Sequence, residues 1–251
     1  MCYNLIGDFM KTALITGASK GIGKAMCYLF AEKGFNIIIN YNSSYELAEE
    51  LRKDITSKYN VDALMIKCDV SNEEEVKNMV LESVKTFGKI DVLINNAGIS
   101  IDSTLEDKTN EEFKRVLDVN LLGTFLVSKY VGMHMMEYRN GKIVNISSTN
   151  GIDTYYPESM DYDASKAGVI SLTHNFAKEF SPYINVNAIA AGWVNTSMNE
   201  NLDEEYKNKE IDKILLKRFA DPIEIAKVAY FLVSEDASYI NGSIIRVDGG
   251  Y

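Results

Sequence analysis

From Lys11 onward, short apolar or β-branched runs alternate with longer stretches of helical period, and this alternation limits the fold more than any other feature. The runs read TALIT, FNIIIN, DALMIK, IDVLIN, GKIVNIS, INVNAIA and GSIIRV. A helix from about Gly21 to Gly34 separates the first two, one after Ser43 precedes the third, and one after Ser71 precedes the fourth. Thr109 opens a long helical stretch ahead of the fifth run, and a further helix precedes the sixth. Strands separated by helices imply a mostly parallel sheet covered on both faces. Right-handed crossovers then put the doubly wound arrangement first. The expected fold class is therefore α/β: a single-domain Rossmann fold, with a seven-stranded, mostly parallel, doubly wound sheet and helices on both faces.

Helix starts carry their own signals. Ser43 with Glu46, Ser71 with Glu74 and Thr109 with Glu112 all fit a capping box, in which the first side chain caps the helix and the acid reaches back. With 251 residues, three prolines and no low-complexity linker, the chain reads as one domain over 1–251. Met10 and Lys11 lead straight into the first strand, so residues 1–10 read as an extension, a start placed too early or an expression remnant, and these stay open.

The formal charge of −10 argues against a nucleic-acid groove or an anionic membrane surface as partner. No apolar run approaches the ~20 residues of a membrane helix. Cys2, Cys27 and Cys68 are odd in number and unpaired in spacing, which fits a reduced, cytoplasmic protein. His134 and His174 are the only histidines and form no ligand-spaced cluster, so no metal site is expected.

TGASKGIGKAM follows the first strand and opens the first helix, with Gly17, Gly21 and Gly23 spaced G-x3-G-x-G. Glycines allow a tight turn and close backbone approach, and a helix start offers free N–H groups to a pyrophosphate. After the second strand an NAD site usually carries an acid for the ribose 2′-hydroxyl. Here the chain reads Asn40-Tyr41-Asn42-Ser43-Ser44, with Lys20 just ahead of Gly21 where an ammonium meets a 2′-phosphate. NADP is favoured over NAD.

NGIDTYYPESMDYDASKAG, residues 150–168, holds three tyrosines. Four positions on from Tyr155 and Tyr156 stand Ser159 and Met160; four on from Tyr162 stands Lys166. Positions i and i+4 share a helix face, so only Tyr162 has an ammonium held beside its phenol by local geometry. A nearby cation favours the phenolate.

With the glycine loop and the Tyr-x-x-x-Lys pair, three more motifs converge: NNAG at 95–98, DVNLLGTF containing Asn120, and IVNISS ending at Ser148. Together these resemble the short-chain dehydrogenase/reductases from Lys11 to Gly250, with AIAAGWVNT and the terminal VDGG fitting the same pattern. The resemblance implies Asn120, Ser148, Tyr162 and Lys166 as catalytic residues, with Ser148 selected over Ser147. It implies cofactor contacts from Gly17, Ser19, Lys20, Gly21, Ile22 and Gly23, from Asn40, from Asp69 and Val70, and from Asn96, Ala97 and Gly98. Tyr162, Lys166, Gly192, Val194 and Thr196 complete that set. In the implied mechanism NADPH delivers hydride to a carbonyl, Tyr162 is the acid, Lys166 lowers its pKa, Ser148 holds the carbonyl oxygen and Asn120 holds a water. A homotetramer is also implied.

The sequence departs from the family at Ala191, where proline is usual, and in a loop between Ser148 and Tyr162 that looks one residue long. The closest subgroup in pattern is the 3-oxoacyl-acyl carrier protein reductases, which makes an acyl thioester the expected substrate and acyl carrier protein a candidate partner. Arg139 stands where that subgroup carries a basic residue, while Ser181-Pro182-Tyr183 fills the second expected place. The alternative is a dehydrogenase of a free steroid, sugar or short alcohol, with residues 193–217 as lid. There Trp193, Met198, Leu202, Tyr206, Ile211 and Leu215 supply apolar contacts, and Tyr155 and Tyr156 either line the pocket or stand exposed. A non-catalytic cofactor-binding regulator is the reading from another class; it should have lost one of Ser148, Tyr162 and Lys166.

Overall fold

The computed structural model describes residues 10–200 and 202–251; Cys2 and the open question of the N-terminal residues lie outside them. All seven expected runs are strands: β1 (Thr12–Ile15), β2 (Asn36–Tyr41), β3 (Ala63–Lys67), β4 (Val92–Asn95), β5 (Gly141–Ser148), β6 (Ile184–Ala191) and β7 (Ile244–Val247). Every pairing is parallel and the order is β3-β2-β1-β4-β5-β6-β7, with the reversal of order beside β1 that defines a doubly wound sheet.

Alternate strand residues feed two apolar layers. Ala13, Ile15, Ile37, Ile39, Val92 and Ile94 pack with α1 (Gly21–Glu32), α2 (Tyr45–Lys58) and α8 (Pro222–Val233). Leu14, Ile38, Leu93, Ile143 and Val186 pack on the other face with α3 (Glu73–Phe87), α5 (Gly123–Tyr138) and α6 (Met160–Glu179). Cys27 and Cys68 are free and buried, and burial pushes both thiols up, Cys68 to about 12, which leaves them unreactive.

The helix starts correct two expectations. Thr109 and Glu112 form the full capping box of α4 (Asn110–Leu117). At α3 the cap is Asn72, one residue on, whose side chain accepts from the Glu74 and Glu75 N–H groups. Ser71 is taken up by Asp69 Oδ1 at 2.6 Å instead. At α2 the cap position is Ser44, without a side-chain bond, so Ser43 and Glu46 make no box. The run Asn110–Tyr138 is, against expectation, long and apolar enough by composition to cross a membrane. It earns its apolar residues otherwise, because Leu126, Val127, Val131 and Met135 are buried against the sheet. Between α4 and α5 it widens into a π-type turn, Asp118–Leu122, where the Gly123 N–H reaches the Asp118 carbonyl.

Candidate active site

Parallel strands deliver their C-terminal ends to one edge of the sheet, and the candidate residues gather there. After β1, Gly17 adopts a φ of 60°, and a Cβ on it would lie 2.8 Å from the Ala97 Cα. A Cβ on Gly23 would fall 2.6 Å from the Gly17 carbonyl oxygen and 2.7 Å from Asn96 Nδ2. The loop is stitched to the segment after β4. Asn96 and Ala97 N–H donate to Thr16 Oγ1 at 2.9 and 3.0 Å, and Asn96 Nδ2 donates to the Thr16 and Gly17 carbonyls at 2.9 and 3.1 Å.

The first turn of α1 has neither a side-chain cap nor an acidic residue, whereas α3 and α4 are capped by Asn72 and Thr109. Its orphan N–H groups and the helix dipole therefore suit an anion lying on the glycine loop. Ser19 is buried within that loop, Ile22 is half-buried, and Lys20 is exposed at the cap position. The Thr196 methyl closes over Gly21, 3.3 Å from where a Cβ would stand. Gly192 approaches Asp248, and Val194 is bridged to Ala220.

Asn40 and Val70 turn inward, while Asp69 stays half-buried at the surface. Asn40 is buried, with Oδ1 accepting from the Gly17 N–H at 3.1 Å and Nδ2 donating to the Cys68 carbonyl at 3.0 Å, so its amide holds the loop in place. Val70 packs beneath Gly123. Asp69 pairs with Arg115 at 2.9 Å.

Ser148 ends β5, and Tyr162 and Lys166 lie on the first turns of α6. Lys166 Nζ sits 5.4 Å from the Tyr162 ring centroid and donates to the Ile146 carbonyl at 2.8 Å. Ser148 Oγ donates to Asn150 Oδ1 at 3.0 Å and accepts from the Asn150 N–H at 3.2 Å. Ser147, on the opposite face of the strand, donates to the Lys166 carbonyl at 2.9 Å, a structural contact. Asn120 lies in the π-type turn: Oδ1 accepts from the Ile99 N–H at 2.8 Å, and Nδ2 donates to the Ile99 carbonyl at 2.9 Å and to Ser165 Oγ at 3.0 Å. Asn120 Oδ1 and Lys166 Nζ flank Gly98, 3.4 and 3.5 Å from where a Cβ would stand. Among the described residues no cluster fit for a metal ion occurs.

Burial governs the electrostatics. It pushes the Tyr162 phenol up to about 12, with the Ser148 hydroxyl pulling the other way and the Asp163 and Asp102 carboxylates adding to the rise. It also lowers Lys166 to about 8. The expected depression of Tyr162 by Lys166 is thus corrected. Loss of water dominates the phenol, and the Lys166 ammonium, itself desolvated, is turned to the Ile146 carbonyl.

The lid segment separates the expected contacts. Trp193 stacks on Phe219 with ring centroids 5.2 Å apart, and meets Tyr156 and Tyr206 edge-on. Met198 and Leu215 are instead exposed, while Leu202 and Ile211 are half-buried. Tyr155 is exposed; Tyr156 turns inward, and both border a cleft of about 380 Å³ with Asp153, Thr154, Lys213 and Tyr251. Sequence reasoning missed Glu210, buried on α7 (Glu204–Lys213), where it accepts from Tyr156, Tyr251 and Trp193. A glutamate within EEYKNKEIDK gives no signal that sets it apart from its solvated neighbours. Arg139 lies just before β5, which rises about 23 Å from Gly141 to Ser148. Within one chain it is therefore far from the candidate site, stacked over the Tyr183 ring at 5.3 Å.

A parallel doubly wound sheet with Ser148 at the end of β5 and Tyr162 and Lys166 on the helix beside it defines a nicotinamide-dependent oxidoreductase of the short-chain dehydrogenase/reductase family, and the chain belongs to that family. The family model described as enoyl-(acyl carrier protein) reductase matches residues 17–251. The chain is 41% identical to the 3-oxoacyl-[acyl-carrier-protein] reductase FabG of Staphylococcus aureus, over 96% of this chain and 97% of that protein. The FabG protein of Thermotoga maritima is equally similar, at 41% and the same coverage. Among solved structures, levodione reductase superposes with a TM-score of 0.90 at 35% identity, covering 96% of this chain and 98% of its own.

Proposed function

We propose that this protein is an NADPH-dependent 3-oxoacyl-acyl carrier protein reductase, acting in the cytoplasm as a homotetramer. The observation that carries the reading is the meeting of Ser148, Tyr162 and Lys166 in one enclosure, in a chain whose curated relatives named for that activity align over 96% of its length. When bound, the nicotinamide cofactor supplies the hydride. The residues to hold it are the Gly17–Gly23 loop, the Asn96–Gly98 segment, Lys166, and Gly192, Val194 and Thr196. The uncapped start of α1 fits a pyrophosphate, and Gly23 lets that helix start pack against the Gly17 carbonyl and the Asn96 amide, where a Cβ has no room. The absence of a carboxylate from Asn40 to Ser44 and the exposed Lys20 favour the 2′-phosphate form.

Ser148 holds the substrate carbonyl oxygen as charge develops on it, and Tyr162 gives that oxygen its proton. A phenol raised to about 12 is fully protonated at neutral pH, so the acid form is ready for reduction. The Lys166 charge stabilises the phenolate that proton transfer leaves behind, since each buried charge costs less beside the other. Asn120 positions the Gly98–Ile99 segment beside Lys166. Exposed Leu122, Phe125 and Met133 of the α4–α5 helical stretch, and Leu215, Leu216 and Tyr239 elsewhere, supply apolar surface for self-association.

The second reading, reduction of a free small ketone, is favoured by the aromatic wall of Trp193, Tyr156 and Tyr206 and by the likeness to levodione reductase. Tyr162→Phe tests the shared chemistry: turnover is expected to fall by ~10²–10⁴-fold while NADPH binding persists. A variant with near wild-type rate would overturn the role of Tyr162.

A further inference from the structure

Helix α7 is held to the rest of the molecule in an unusual way. Of its ten residues, the one that is buried is Glu210, 2% exposed. Glu210 Oε2 accepts from Tyr156 Oη at 2.7 Å, from Tyr251 Oη at 2.5 Å and from Trp193 Nε1 at 3.2 Å, while Oε1 pairs with Lys213 Nζ at 2.6 Å. The two phenols also touch, 2.6 Å apart, so two phenolic protons serve three contacts. An ionised carboxylate is acceptor-only with about four lone-pair sites, which matches this set of donors. A helix docked by an apolar stripe would lose little when one polar atom changed; this one has no such stripe.

The cluster also leads to the reacting groups. Tyr156 N–H donates to Asp163 Oδ2 at 3.0 Å, and Asp163 Oδ1 accepts from Asn150 Nδ2 at 2.7 Å. Asn150 Oδ1 in turn takes the Ser148 hydroxyl at 3.0 Å. Trp193, the single tryptophan of the chain, stands between Gly192 and Val194 of the candidate cofactor set.

We propose that Glu210 is a positioning residue: its carboxylate clasps α7 onto the Tyr156 loop, Trp193 and the C-terminal Tyr251, and so closes the pocket over the carbonyl substrate. This rests on the ketone reduction proposed above. Glu210 acts through Tyr156 and Trp193, setting the grip on the substrate and leaving the nicotinamide end alone.

The test compares wild type, Glu210→Gln and Tyr251→Phe, each checked for unchanged far-ultraviolet circular dichroism. Acrylamide quenching of Trp193 fluorescence is read alongside steady-state kinetics with an acetoacetyl thioester and NADPH. Glu210→Gln keeps the size but removes the charge and half of the acceptors. It is expected to make Trp193 more quenchable and to raise KM for the thioester about tenfold, the scale of one lost charge-assisted hydrogen bond, with KM for NADPH unchanged. Tyr251→Phe, which removes one donor at the last residue, should move both readouts the same way by less, and serves if the first variant does not fold. Unchanged quenching in the folded variants, or increased quenching without a change in KM for the thioester, overturns the clasp. An inactive wild type strikes instead at the proposed reaction, so the two failures are told apart.

Discussion

Tyr162 and Lys166 share a helix face, and the enclosure that brings them together drives their pKa values apart, the phenol up to about 12 and the ammonium down to about 8. Lys166 makes a stability prediction. Its value is about 8 in the folded chain against 10.5 for the free side chain, so the unfolded state binds the proton more tightly. The cost of burying this lysine is therefore complete below pH 8 and fades as pH rises from 8 to 10.5. Lys166→Met should gain about 2 kcal/mol at pH 7, after allowing for the lost bond to the Ile146 carbonyl, and the gain should shrink toward pH 10.5. Denaturant midpoints across that range check it, and a variant less stable than wild type at pH 7 would refute it. Gly23→Ala is the second residue-scale test: its Cβ would meet backbone and the Asn96 amide, so cofactor binding should weaken by more than about tenfold in titrations, the equivalent of roughly 1.4 kcal/mol. Both the Tyr162–Lys166 spacing and the glycine loop were legible because they are local. Asn40 was placed by resemblance among the cofactor contacts, but its bond to Gly17 depends on β2 arriving beside the loop, which no local pattern reports.

At the scale of elements, the strands were legible because period and composition mark them directly, and all seven lie where the apolar runs predict. Caps were less so, since a serine one residue early looks as good as the true cap. The distinction is measurable: Asn72→Ala should cost about 1 kcal/mol, while Ser43→Ala should cost nothing resolvable. Equal losses in the two variants would contradict the assignment of the caps. The π-type turn at Asp118–Leu122 was invisible for a related reason. The sequence reads as one continuous helix, and only the packing of Asn120 against Ile99 and Ser165 displays the extra residue. The docking of α7 through Glu210 belongs with these, because it is assembled from residues 156, 193, 210 and 251, which are distant in sequence.

For the whole molecule, the doubly wound topology explains why residues from six segments converge on one edge of the sheet. The same topology leaves Arg139 at the opposite end of β5 from Ser148. Light scattering at micromolar concentration should give the mass of four chains; a monomer would remove the proposed tetramer. The central claim is tested most directly by following nicotinamide oxidation by the wild-type protein with an acetoacetyl-carrier conjugate, NADPH and NADH being assayed side by side. Rapid turnover that prefers NADPH is the predicted result. No turnover with the conjugate, in a protein that binds NADPH and reduces a free ketone, would contradict the carrier-protein assignment, and preference for NADH would contradict the cofactor reading drawn from Lys20 and the segment Asn40 to Ser44.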